Sequence, residues 1–86
     1  MKYTIATLIS VLALSACSDS RPQLTNREKY ICGQCHKLPS ADQHAAAEWP
    51  AVVDRMMNHM QTNNRTMPTE KEREEIIKYY QSHAGQ

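Results

Sequence analysis

Residues 32–36 read Cys-Gly-Gln-Cys-His. Two thiols three positions apart, with an imidazole touching the second, have three chemistries open to them: a redox disulfide, a share of a zinc site, or covalent attachment of a haem. A structural zinc site takes about four ligands, usually from two paired clusters. The chain has no second cysteine pair, and His44, His59 and His83 could complete a site only in an unusual arrangement. A thioredoxin-like redox pair belongs in a strand–helix–strand setting. This chain has no strong strand signal and is too short for that fold.

The third chemistry has no such obstacle. CxxCH is the attachment motif of c-type haem. Thiols at i and i+3 lie on one face of a helical turn, where each can bond one vinyl-derived carbon of a porphyrin, and the adjacent imidazole turns onto the iron. The motif therefore predicts one covalent haem c, with Cys32 and Cys35 as thioether residues and His36 as the proximal ligand.

Such attachment follows export, and the beginning of the chain reads as an export signal. Residues 1–16 are MKYTIATLISVLALSA: one positive charge at Lys2, a short apolar run from Ile5 to Leu14, then small residues. This is the layout of a secretory signal peptide, and the run is too short to span a bilayer comfortably. Leu14-Ser15-Ala16-Cys17 resembles the bacterial lipobox, in which the cysteine is acylated and becomes the mature N-terminus. Similarity to Gram-negative lipoproteins implies that Ser18, after that cysteine, permits transport to the outer membrane. The expected division is a signal over 1–16, a lipidated tether over 17–24 and a haem domain over 25–86. Of three cysteines, acylation of Cys17 accounts for the one left over from the CxxCH, an odd cysteine that an exported protein would otherwise leave unexplained.

Setting Lys2 aside leaves nine Lys or Arg against nine Asp or Glu. A near-neutral chain lacks the basic face of a nucleic-acid binder. It also lacks core, with one Trp and no Phe. A domain this small is marginal without a disulfide, metal or cofactor, so a large apolar prosthetic group would serve stability as well as chemistry.

Three helices must position these groups, and the expected fold is all-α. Thr25-Asn26-Arg27-Glu28 is a capping box that predicts a helix from Thr25 through Tyr30 and Ile31 into the CxxCH. Pro39 to about Ala45 reads as a loop around the haem edge. A second helix is predicted from Glu48-Trp49-Pro50, with Pro50 tolerated in the first turn, to about Gln61. Trp49, Val52, Val53, Met56 and Met60 recur on one face of it. Thr62-Asn63-Asn64-Arg65 breaks the pattern. Thr69-Glu70-Lys71-Glu72 is a second capping box, opening a helix whose apolar stripe is Ile76, Ile77, Tyr80 and Ala84. Trp49 reads either as a core anchor or as an indole donor to a haem propionate.

The sixth iron ligand in an electron-transfer haem is commonly Met. Met67 precedes Pro68 in a loop, which resembles the ordinary class I cytochrome c arrangement. A closer resemblance runs through Trp49-Pro50-Ala51-Val52-Val53-Asp54-Arg55-Met56, a polar break and EEIIKYYQSH. This resembles the small monohaem cytochromes c related to the cytochrome subunit of bacterial sulfite dehydrogenases, over roughly residues 28–84. That resemblance implies a class I-like domain of about three helices wrapped around one haem, with Met56, seven residues after the Trp, as the axial ligand. The chain departs from the pattern by adding Met57, His59 and Met60, and by lacking the Gly-x-x-aromatic lead-in of many class I cytochromes. Met60 lies one helical turn from Met56, so Met60 and Met67 stand as alternatives to Met56. His44, His59 and His83 are expected to be solvated surface residues.

The chain has no paired carboxylates in a cleft-like context, no Ser-His-Asp pattern and no nucleotide-binding loop. The expectation is a one-electron carrier and not an enzyme, lipid-tethered on the periplasmic side, in the outer membrane. The resemblance implies a periplasmic dehydrogenase as donor and an oxidase or another cytochrome as acceptor. The alternatives are a five-coordinate haem that binds a small gas or reduces peroxide, and the haem subunit of a larger dehydrogenase complex.

Overall fold

The computed structural model describes residues 20–85. Among them are three α-helices and no strand: α1 (Asn26–Cys32), α2 (Trp49–Thr62) and α3 (Glu70–His83), with short 3₁₀ turns at Ala41–Gln43 and Ala46–Glu48. The all-α expectation holds. No helix among the described residues is long and apolar enough to cross a membrane.

Each helix starts where its sequence signal stands. Thr25 Oγ1 accepts from the Glu28 N–H at 3.1 Å, and Glu28 Oε1 accepts from the Thr25 N–H at 3.0 Å. The same reciprocal pair joins Thr69 and Glu72, at 3.1 and 2.9 Å. Two otherwise orphaned N–H groups are satisfied at each start. Pro50 sits in the first turn of α2, where its missing N–H costs nothing.

Helix α2 ends in a Schellman motif. Asn64 takes a left-handed conformation at φ 56°. The Arg65 N–H donates to the Met60 carbonyl at 2.8 Å, and the Asn64 N–H to that of Gln61 at 3.2 Å. Asn in place of Gly is tolerated because its short polar side chain fits this region. The break expected over residues 62–65 therefore has a defined geometry.

The core lies between α2 and α3 and takes in the last residue of α1. Trp49 is fully buried and Tyr80 is 1% exposed. Their rings stack with centroids 4.1 Å apart, and Val52, Val53, Ile76, Cys32 and Leu24 close around them. Both aromatic rings carry polar atoms that need partners when buried. Trp49 Nε1 donates to the Ala41 carbonyl at 3.2 Å, and the Tyr80 hydroxyl to the Pro39 carbonyl at 3.1 Å. Gln81 Nε2 adds a bond to the Ala46 carbonyl at 3.1 Å. Three side chains thus hold down the segment between His36 and α2, which has little regular structure of its own. Trp49 is thus a core anchor, with its indole N–H directed to the Ala41 carbonyl.

Ion pairs tie the outer faces together. Arg73 binds Asp54 through two nitrogens at 2.9 and 3.2 Å, joining α2 to α3. Arg27 binds Glu72 at 2.7 Å, joining α1 to α3. Packing also begins before Thr25. Leu24 is buried, and His83 Nε2 donates to the Pro22 carbonyl at 3.0 Å. The end of the expected tether therefore lies against the helical unit.

Candidate functional site

Helix α1 delivers the cysteine pair, and it stops sooner than the motif suggests. It ends at Cys32, and the Gly33 N–H closes it on the Lys29 carbonyl at 3.0 Å. A Cβ at Gly33 would stand 3.1 Å from that same carbonyl oxygen, so the close approach favours glycine. Cys35 lies past the helix end. The pair straddles a helix terminus, where the spacing alone had suggested one helical face. Cys32 is buried, Cys35 is exposed, and both are free thiols.

Gln34, between the two cysteines, grips the loop that joins α2 to α3. Its Nε2 donates to the Thr66 carbonyl at 2.7 Å, and its Oε1 accepts from the Thr66 N–H at 2.8 Å. Nε2 also reaches the Ile31 carbonyl at 3.0 Å. This clamp orients the Cys-Gly-Gln-Cys turn, and sequence reasoning missed it. An amide side chain bonding backbone 32 residues away leaves no local signal.

Cys32, Cys35, His36, Met56, His59 and Met60 line one solvent-open cleft with a cavity volume of about 100 Å³. That is smaller than the ~300–1,000 Å³ typical of small-molecule sites. A second hollow shares His36, Met56 and His59 with it and extends toward Gln43, His44 and Arg55. The fold thus gathers the residues singled out at positions 32, 35, 36, 56 and 60. Met67 is not on the wall of this cleft. Cys17 and the segment 1–16 lie outside the described residues.

The His36 ring is anchored by backbone. Its Nδ1 is 2.8 Å from the Lys37 carbonyl oxygen. A carbonyl can only accept, so Nδ1 carries the proton and the neutral ring keeps its lone pair on Nε2. Backbone anchoring of one ring nitrogen is the usual way a metal-binding imidazole is held in one tautomer.

The Cys32 thiol is pushed up to about 11, first by burial and then by the neighbouring Glu28 carboxylate. It stays protonated at neutral pH, the reverse of the lowered thiol that a disulfide-exchange enzyme uses. Glu28 is itself unusual. It is 1% exposed, and its Oε2 has no hydrogen-bond donor. Burial, foremost, and the nearby Glu75 carboxyl raise its pKa, against the lowering effect of the Thr25 N–H.

Among the described residues, no three His, Cys, Asp or Glu side chains stand together as a metal-holding group. A metal that arrives already ligated in a plane needs only one or two further donors, and this cleft has them. No family model, curated protein or solved structure matches the chain. The chemistry of the cleft is therefore read from its own side chains.

Proposed function

We propose that this chain is a monohaem c-type cytochrome, a one-electron carrier lipid-anchored on the periplasmic side of the membrane. The observation that carries this reading is that Cys32, Cys35 and His36 open onto the same cleft as Met56 and Met60 of α2.

The donor set fits a covalent haem. Each thiol would form a C–S bond with one vinyl carbon of the group and give its hydrogen to the other, a step that would consume no oxidant or reductant. Cys32 holds its sulfur rigidly from the core, and Cys35 holds its own on the exposed turn that Gln34 fixes. The Lys37 carbonyl keeps His36 Nε2 available for the iron. Met56 is assigned the sixth position, with Met60 as its closest rival on the cleft and Met67 a more distant one. Bound haem supplies a one-electron couple whose potential depends on axial ligands and burial. A thioether raises that potential relative to imidazole.

A class I-like architecture, wrapped around the haem, goes with this reading. Two protein ligands leave no open position for substrate, which favours a carrier over an enzyme. Export, lipidation at Cys17 and outer-membrane placement through Ser18 belong to the same proposal. So do encounters with a periplasmic dehydrogenase as donor and an oxidase or second cytochrome as acceptor, through small transient interfaces.

The test is spectroscopic. The chain, matured in a host that attaches haem, should titrate as a single reversible one-electron centre. Its oxidised form should be low-spin with a sulfur-to-iron charge-transfer band that Met56→Leu removes. A high-spin resting state would replace the carrier with a gas-binding or peroxide-reducing haem. Obligate co-purification with a second chain would make it a subunit of a larger complex.

A further inference from the structure

Resting on the haem reading, we propose that His59 is a second donor for the sixth iron position, so that the cleft offers an imidazole as well as thioethers. The chain has four histidines, and the fold treats them differently. His36 is anchored through Nδ1. His44 stands edge-on to Trp49 with centroids 5.0 Å apart, and its Nδ1 is 3.8 Å from Glu48. His83 is bonded to the Pro22 carbonyl and lies against Tyr79. His59 alone has no side-chain hydrogen bond, ion pair or ring contact among the described residues, and it borders the cleft that holds Cys32, Cys35 and His36.

Its place on α2 explains why. Met56, His59 and Met60 are spaced i, i+3 and i+4, so they share one side of the helix. The Asn63 N–H and Nδ2 both donate to the His59 carbonyl, at 3.1 and 2.8 Å, which fixes the backbone beneath the ring. Met60 is 5% exposed, and Met56 packs against the core. Both thioethers are held in apolar packing as well as on the cleft. His59 is exposed and gives up only solvent. The consequence is a carrier with two available ligation states, the imidazole state having the lower potential.

The experiment uses the full chain in detergent with haem attached, comparing the parent, the Met56→Leu/Met60→Leu double variant and that double variant with His59→Ala. Leu keeps the volume of each Met and cannot ligate. The double variant should stay low-spin, lose the sulfur-to-iron band and show a lower potential than the parent. Adding His59→Ala should turn it high-spin, and free imidazole should restore the low-spin spectrum. A double variant that is already high-spin overturns the proposal, as does a triple variant that remains low-spin. Haem missing from every form on a denaturing gel, the parent included, would overturn the haem reading itself and this inference with it.

Discussion

The two sides of α2 are finished to different degrees. One side, against α3, is closed. Trp49 and Tyr80 stack, their N–H and O–H have carbonyl partners, and Val52, Val53 and Ile76 fill the remaining space. The other side, facing the Cys-Gly-Gln-Cys-His turn, presents an exposed thiol, an imidazole with a free nitrogen and methionines along an open cleft. Most of the packing lies on the closed side, which Cys32 joins from α1, while Cys35, His36 and the methionines line the side that is left open. A covalent group seated in that cleft would complete the second half, which matters in a domain too small to rely on one core.

The first way to break this comparison is to damage the closed side. Trp49→Ala should cost about 3–5 kcal/mol and release the Ala41 segment, read as a lower midpoint in urea unfolding. A cost no larger than that of a surface change would mean that Trp49 does not anchor the core.

Glu28 of α1 offers a second, because it is a buried carboxyl with an unpartnered oxygen. Its pKa in the folded protein is raised. The stability it contributes is therefore fully present below the ordinary glutamate value of ~4.3 and is lost as pH rises through the folded value. Glu72 and Asp54 run the other way. Hydrogen bonds from Arg27 and Arg73 lower their pKa values, so their contribution is lost as pH falls through those depressed values. Glu28→Gln keeps the capping acceptor and adds an N–H₂ at the orphan oxygen. It should stabilise the protein by about 1 kcal/mol at pH 7. Its advantage should grow from pH 4 upward and then level off in denaturant titrations at stepped pH. An advantage constant with pH would contradict a raised Glu28.

Tyr80→Phe tests the link between the two sides with a smaller expected loss, about 0.5–1.5 kcal/mol. It removes the bond to Pro39 and should loosen the segment that follows His36, seen as faster amide exchange there. Asp54→Ala should have the least effect, since its pair with Arg73 is exposed and screened by salt. A large loss, insensitive to salt, would mean that the α2–α3 contact relies on that pair.

How far these features could be read from the sequence depended on the distance over which each is determined. Thr25 with Glu28 and Thr69 with Glu72 placed two helix starts because a capping box is complete within four residues. Pro50 and the apolar spacing after Trp49 placed α2 in the same way. The Gln34 clamp on Thr66 and the bonds of Trp49 and Tyr80 to residues 41 and 39 were not legible, because each joins a side chain to backbone set by tertiary packing. The helix into the CxxCH was legible, but not that Cys35 falls past its end, because the three-residue spacing suits a helix and also a turn. At the site, Cys32, Cys35 and His36 are legible as a contiguous motif. The choice among Met56, Met60 and Met67 is not, since it depends on how α2 lies against that motif. His59 looked like an ordinary surface residue until the fold set it beside the cleft without a partner.

Attachment of a haem to Cys32 and Cys35 is tested by the intact mass of the denatured full chain, made in one host with and without a haem-attaching system. The two preparations should differ by one haem, and Cys32→Ser/Cys35→Ser should abolish the difference. Equal masses, with the thiols free or joined as a disulfide, would contradict it.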